Sequence, residues 1–158
     1  MTEPTVSPVT HGQSTYMAPE PGRLMGKGHP AGDFLEAHEW LILDEEEGYL
    51  RIEAHLPAQV LNPRGQLFGG FTGTYIDLMG LHTVRAGADR TDPSNPRRWM
   101  ATTNMRIDYF APIVGPTFTI ESRLQWARGR DRYVVTELFQ DDVLAVHAIS
   151  QWKLLRDS

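Results

Sequence analysis

A glycine pair and an aspartate share one short stretch of the chain, NPRGQLFGGFTGTYIDLMG, residues 62–80. Gly69 and Gly70 lie where we expect a helix to begin, so their amide N–H groups lack helical partners and face the positive end of the helix dipole. A ligand oxygen can approach such uncovered amides, as at an oxyanion site. Asp77 follows Gly70 by seven residues, which turn a helix by about 700°. We therefore expect amide donors and a carboxylate base or nucleophile on one helix face.

A plainer interpretation of these residues also stands. An aspartate within a helix is commonly a solvated surface residue, and a glycine pair before a helix is commonly a turn. The apolar neighbours of Asp77 favour the functional interpretation, because a carboxylate buried among them needs a partner or a purpose. Gly73 and Gly80 each disfavour a helix by about 1 kcal/mol. Their spacing predicts close packing of the helix against a sheet.

The composition excludes several classes of function. The chain has 158 residues, about one domain, and a net charge of −5 with no long Lys/Arg run for nucleic acid. It contains no cysteine, which excludes disulfides, a cysteine nucleophile and thiolate metal ligands. A Gly-x-Ser-x-Gly motif, a membrane-length apolar run and a secretory signal are all absent from the sequence. We therefore expect a cytoplasmic protein that binds neither nucleic acid nor membrane.

The elements that must position the glycines and the aspartate follow from apolar periodicity. Residues 1–32 are rich in proline and glycine and predict a flexible arm, with late docking onto the fold as the alternative, which leaves residues 33–158 as the folded domain. A helical spacing of apolar residues predicts one helix from about residue 69 to 86. Strand-like segments before and after it predict the order β-β-α-β-β-β-β, with short turns that favour antiparallel neighbours. The prediction is an α+β fold in which a sheet wraps one helix.

One of these segments, TFTIESRLQWA at residues 117–127, alternates apolar and polar residues. Strict alternation places every second side chain on the same face of a strand. We therefore expect Trp126 to face inward together with Phe118, Ile120 and Leu124.

The stretch NPRGQLFGGFTGTYID resembles the signature of hotdog-fold acyl-CoA thioesterases of the phenylacetate-degradation (PaaI-like) type, which are related to 4-hydroxybenzoyl-CoA thioesterases. The matching residues are Asn62, Gly65, Gly69, Gly70 and Asp77. A later segment, TTNMRIDYFAPIVGPTFTIESRLQWARGR, is similar to the second half of the family, with Tyr109, Pro112 and Gly115 at its aromatic, proline and glycine positions. The resemblance covers roughly residues 34–155.

The resemblance implies a six-stranded antiparallel sheet wrapped around one long central helix. It also implies a homodimer, or a homotetramer of paired dimers, with active sites at the subunit interface. The substrate would be an acyl-CoA, and neither a metal nor another cofactor is required.

The resemblance also implies roles for individual residues. Asp77 would be the nucleophile or the general base towards water. The amide of Gly69, with that of Gly70, would polarise the thioester carbonyl. Asn62 would orient the water or the thioester, and Thr102 would help to hold the attacking water.

The chain departs from the family at Phe68, where a histidine is usual. This change favours, as an alternative, a non-catalytic hotdog protein that binds acyl-CoA or an aromatic ligand; a dehydratase ranks lower. Phe68, Phe71, Tyr75 and Tyr109 are expected to line a substrate pocket, although aromatic residues are equally ordinary in a core. Arg128 and Arg130 are expected to meet the phosphates of coenzyme A, with a solvated turn as the alternative.

Overall fold

The computed structural model describes residues 16–87 and 99–156. The elements that it contains are α1 (Pro30–Phe34), β1 (Leu41–Glu46), β2 (Tyr49–His55), α2 (Gly69–Val84), β3 (Met100–Tyr109), β4 (Thr117–Arg128), β5 (Asp131–Gln140) and β6 (Val143–Leu154). Short 3-10 turns lie at Ala37–Glu39 and Ala58–Val60. The predicted element order, with one long helix between the second and third strands, is confirmed.

Within the described residues, six strands form one antiparallel sheet in the order β1-β2-β4-β5-β6-β3. The strand β3 follows the helix in sequence but pairs with the last strand, β6, and therefore occupies an edge of the sheet. Among the described segments, no helix is long and apolar enough to cross a membrane.

The helix α2 is apolar on most of its circumference, as expected of a helix that a sheet covers. Its side chains at Tyr75, Ile76 and Met79 are fully buried. The Tyr75 ring stacks on Trp40 at a centroid distance of 5.5 Å and meets the edge of Phe118 at 5.3 Å. The centre of the core therefore lies between α2 and the inner face of the sheet.

Three contacts show that α2 and β3 run past each other in opposite directions. The start of the helix at Gly69 lies beside Tyr109, at the end of β3. Gly73 lies beside Ile107, and Asp77 lies beside Thr102 near the beginning of the strand. A Cβ on Gly80 would come within 2.4 Å of the Trp152 ring on β6, which bears out the prediction that this glycine permits close packing.

The prediction that Trp126 faces inward is wrong. The register between β4 and β5 shifts between Leu124 and Trp126, where Leu124 pairs with Val134 and Trp126 pairs with Tyr133. A bulge of this kind moves the following side chains to the opposite face. Trp126 is consequently exposed and stacks on Tyr133 at 5.7 Å.

Part of the predicted N-terminal arm contacts the folded domain. Leu24 and Met25 are buried, and the Leu24 amide donates to the Trp40 carbonyl at 3.2 Å. The Ile42 amide donates in turn to the Gly22 carbonyl at 2.9 Å. The part of the predicted arm from residue 22 onward thus packs against the domain, and residues 1–15 lie outside the described residues.

An ion pair links the segment that follows α1 to the end of β2. The Glu36 carboxylate is bonded to the ring of His55 at the end of β2, and this hydrogen bond is the main reason that the pKa of Glu36 lies below its ordinary value. Glu36 adopts the left-handed backbone conformation, with φ of 54°, which is uncommon for a residue with a side chain. The nearby Phe34 contacts the first turn of α2, where its ring lies 5.3 Å from that of Phe71.

Candidate functional site

The entry of the chain into α2 leaves two amides available. Phe68 precedes the helix in an extended conformation, with φ of −68° and ψ of 125°, and its amide donates to Val60 at 2.9 Å. The Phe71 amide donates a hydrogen bond to the Phe68 carbonyl at 2.9 Å. The amides of Gly69 and Gly70, between these two residues, have no hydrogen-bond partner within the described part of the chain. Both glycines are exposed, so a ligand oxygen can reach their N–H groups.

Asp77 lies two turns further along α2 and meets β3. The Thr102 hydroxyl donates to Asp77 Oδ1 at 2.5 Å. Asp77 is exposed, although its neighbours Ile76 and Leu78 are buried. Sequence neighbours on a helix point about 100° apart, so the apolar residues beside Asp77 do not enclose it. The structure therefore brings together the predicted acid and hydroxyl on an open surface of the single chain.

The amides and the carboxylate lie too far apart to act on one group within one chain. Eight residues separate Gly69 from Asp77, a rise of about 12 Å along the helix. An attacking water and the carbonyl that it attacks must approach within about 3–3.5 Å. One chain therefore presents two separate halves of the predicted catalytic arrangement.

Tyr109 closes the site beside the helix N-terminus. Its hydroxyl donates to the Gly69 carbonyl at 2.8 Å, and its ring remains 53% exposed. A cavity of about 390 Å³ opens here between the first turn of α2 and the loop after β3. Its lining includes Gln66, Gly69, Thr72, Tyr109, Phe110 and Ile113. A group held at the free amides would thus lie beside a partly apolar recess.

Three aromatic rings, in addition to Tyr109, surround the N-terminus of α2. Phe68 meets Phe71 edge to face at 5.7 Å, and Phe71 contacts Phe34. Phe68 is 52% exposed, so the residue that replaces the usual histidine presents an apolar ring to solvent. Phe34 was not predicted here, because its position depends on the fold of the segment that precedes β1.

Asn62 is placed differently from the other predicted residues. Its Oδ1 accepts from the amides of Arg64 at 2.9 Å and Gln66 at 3.1 Å, and its backbone closes the same turn through Gly65. This is an Asx turn, for which the sequence Asn-Pro-Arg-Gly gives a recognisable signal. The contacts of Asn62 shape the loop that leads into α2, and none of them joins it to Asp77.

Arg128 and Arg130 lie at the opposite end of the sheet from the free amides. Arg130 Nη1 donates to the Leu154 carbonyl at 3.3 Å, and Leu154 pairs with Met100 at the beginning of β3. The ten residues from Met100 to Tyr109 span about 30 Å. The arginines are therefore nearer to the half of the site that contains Asp77 than to the half that contains Gly69.

A larger cavity, of about 590 Å³, lies elsewhere and contains none of the predicted site residues. Its polar lining includes Arg23, Glu36, His38, Glu39, Glu53 and His55. Several of these groups pair with one another: Arg23 and His38 each pair with Glu39, the latter at 3.2 Å, and His55 pairs with Glu36. Among the described residues, no group of three or more His, Cys, Asp or Glu side chains is arranged to hold a metal ion.

No protein-family model matches the chain, and no curated protein matches its sequence significantly. Solved structures do match its fold. A phenylacetic acid degradation-related protein of Ralstonia eutropha, described as a candidate thioesterase, superposes with a TM-score of 0.66 at 22% identity, over 87% of this chain and 92% of its own. The PaaI protein of the Escherichia coli phenylacetic acid degradation operon gives 0.65 at 14% identity, over 82% and 87%.

A hypothetical thioesterase of Streptococcus pneumoniae, crystallised with coenzyme A, gives a TM-score of 0.63 at 14% identity, over 74% of this chain and 86% of its own. The same protein has been crystallised with an aspartate, and separately with a threonine, replaced by alanine. At these identities the likeness concerns the fold, and at that level the predicted resemblance is confirmed. The chain has the hotdog fold, as do structures of the PaaI-like thioesterase type.

Proposed function

We propose that this protein hydrolyses an acyl-CoA thioester to the free acid and coenzyme A. The observation that carries the proposal is the hydrogen bond between Thr102 on β3 and Asp77 on α2. The same helix offers the free amides of Gly69 and Gly70 at its beginning. The fold supports the proposal, because several of its structural neighbours are described as thioesterases and one of them was crystallised with coenzyme A.

In the proposed reaction, water adds to the thioester carbonyl and the sulfur leaves. Asp77 acts as the base that takes the proton of the water, or it attacks first and water cleaves the resulting anhydride. The Thr102 hydroxyl, donating to the carboxylate, keeps lone pairs that accept a hydrogen bond from the water. The amides of Gly69 and Gly70 stabilise the negative oxygen of the tetrahedral intermediate. The departing thiolate takes up a proton to give the thiol of coenzyme A.

The proposal requires two copies of the chain. Because the amides and Asp77 are about 12 Å apart on one helix, Gly69 of one subunit must meet Asp77 of another. A two-fold dimer with antiparallel central helices provides two such sites. The strand β3 favours this dimer, since within the described residues it pairs only with β6 and its other edge is free.

Three of the remaining predicted residues also receive roles in this proposal. Arg128 and Arg130 lie toward the end of the site that contains Asp77 and are proposed to bind the phosphates of the substrate. For Asn62, its backbone contacts support the shaping of the loop before α2 rather than direct contact with water.

The test is a thiol-release screen with acyl-CoA substrates of short, medium, long and aromatic acyl groups. Asp77→Asn should lower kcat by about 10²- to 10⁴-fold, the usual contribution of a general base. Asp44→Asn is the matched control, because Asp44 is an exposed aspartate on β1, at the opposite edge of the sheet from β3. Hydrolysis by Asp77→Asn at the parent rate would contradict the proposal.

A second candidate function is binding without catalysis, and the exposed ring of Phe68 favours it. Replacing a polar histidine by phenylalanine removes a hydrogen-bonding group beside the proposed carbonyl position and adds an aromatic surface with Phe71 and Phe34. Calorimetry separates the two functions. Tight binding of an acyl-CoA that releases no thiol over hours would favour the binding protein.

A further inference from the structure

The Tyr109 hydroxyl donates its hydrogen bond to the one peptide unit that links the two glycines of the site. We propose that Tyr109 is a positioning residue that fixes the Gly69–Gly70 peptide, so that the Gly70 amide points steadily at the oxyanion. This inference rests on the proposed thioesterase function and adds a residue to it. The resemblance requires only an aromatic ring at this position, whereas the inference concerns the hydroxyl.

The peptide bond between Gly69 and Gly70 is planar. The Gly69 carbonyl and the Gly70 N–H belong to one planar unit, so fixing the oxygen also fixes the direction of the N–H. Tyr109 holds that oxygen at 2.8 Å from the end of β3, a neighbouring element. The position of the Gly70 donor is therefore tied to the sheet as well as to its own helix.

The first turn of α2 needs such a tie. Amides in a first helical turn lack intrahelical partners, and helix ends fray. Glycine has more backbone freedom than any other residue, and two of them stand here in succession. The other free donor, the Gly69 amide, shares its peptide unit with the Phe68 carbonyl, which accepts from Phe71 at 2.9 Å. Both donors thus belong to peptide units whose carbonyl oxygens are held.

The same hydrogen bond also strengthens the donor. A hydrogen bond accepted by a carbonyl polarises its peptide unit and makes the N–H of that unit a better donor. The effect on folding is small, because Tyr109 is half exposed and a single neutral hydrogen bond contributes about 1 kcal/mol. Its main consequence is expected in the transition state, where the oxygen becomes negative.

The test uses Tyr109→Phe, which removes the hydroxyl and keeps the ring that packs against Gly69. Tyr133→Phe is the matched control, because Tyr133 stacks on the exposed Trp126 away from α2. For the best acyl-CoA substrate, we expect Tyr109→Phe to lower kcat by about 5- to 20-fold, less than the 10²- to 10³-fold loss of a whole oxyanion donor. KM should change by less than about twofold, since the interaction matters mainly in the transition state.

Infrared spectroscopy supplies a readout that a structural role would not move. In the Asp77→Asn background, a thioester with a ¹³C-labelled carbonyl should show a lowered stretching frequency when bound. Adding Tyr109→Phe should shrink that shift, and adding Tyr133→Phe should leave it unchanged.

The outcomes separate the two proposals. If the parent protein releases no thiol from any acyl-CoA, both the thioesterase function and the positioning role of Tyr109 are contradicted. If the parent is active but Tyr109→Phe matches it in kcat, or changes only KM, the function stands and the positioning role is overturned. An unchanged carbonyl frequency in the double variant would also overturn it.

Discussion

A hydrogen bond between two side chains joins α2 and β3 beside the proposed catalytic carboxylate. The Thr102 hydroxyl on β3 donates to the Asp77 carboxylate on α2, and this orients one carboxylate oxygen toward the strand. The other oxygen is left to act on water. At the scale of the residue, Thr102 therefore fixes the orientation of the Asp77 carboxylate toward the proposed water.

Thr102→Val should lower kcat by about 10- to 100-fold, because hydrogen bonds to charged groups contribute about 1.5–3 kcal/mol. The neighbouring Thr103→Val is the control, since the Thr103 hydroxyl donates instead to the Gln151 carbonyl at 3.2 Å. Steady-state thiol release measures both variants. Equal rates for Thr102→Val and the parent protein would remove Thr102 from the proposed mechanism.

The sequence predicted some site residues better than others. The helical spacing placed Gly69, Gly70 and Asp77 on one helix, because that inference depends only on local periodicity. The expectation of a buried Asp77 was drawn from its sequence neighbours, and it does not hold in the single chain because those neighbours point elsewhere. The contact of Phe34 with Phe71 depends on long-range folding, which no local pattern specifies.

At the scale of the element, the glycines of α2 divide into two kinds. A Cβ on Gly80 would lie 2.4 Å from one ring atom of Trp152 and 2.7 Å from another. A Cβ on Gly73 would lie 3.6 Å from the Met105 sulfur, an ordinary contact distance. Only Gly80 is thus required by the packing of helix against sheet.

Gly80→Ala should lower the free energy of unfolding by about 1–3 kcal/mol, because a buried ring must move to admit the methyl group. Gly73→Ala is the matched control in the same helix, and should leave it unchanged or raise it by up to about 1 kcal/mol through helix propensity. Urea unfolding at one protein concentration compares the two. A Gly80→Ala variant as stable as Gly73→Ala would show that the ring moves without strain.

The predicted elements were correct in type and order, because their alternating and helical patterns are long. Two features of the elements were not predictable in this way. The bulge in β4 is a shift of register between two strands, and the alternation before it gives no sign of the shift. The contacts that residues 22–32 make with the domain were not specified, because proline and glycine dominate the composition, although Leu24 and Met25 supply an apolar anchor within that segment.

At the scale of the whole molecule, the distance between the free amides and Asp77 can be tested by mixing subunits with different substitutions. Such a mixture shows whether one active site uses residues of two subunits. Proline is well accommodated at the first position of a helix, and the extended Phe68 before it suits a following proline. Gly69→Pro therefore removes one amide donor with little disturbance of the fold. We expect this variant to lose about 10²-fold in kcat.

A heterodimer of Gly69→Pro with Asp77→Asn should regain activity. If each site takes Gly69 from one subunit and Asp77 from the other, one site receives both substitutions and the other receives neither. By two-fold symmetry, the heterodimer should then show about half of the parent activity. Two different affinity tags allow the heterodimer to be purified before its thiol release is measured. A purified heterodimer no more active than the two variant homodimers would place each site within a single subunit.

The bulge in β4 also has an optical consequence. It leaves Trp126 exposed on the outer face of the sheet. Trp99, just before β3, is exposed as well, whereas Trp40 and Trp152 are buried beside the central helix. An ionic quencher such as iodide reaches the first two indoles and not the second two. With iodide present, the remaining fluorescence comes from Trp40 and Trp152, so the emission reports on the surroundings of α2 without any added label.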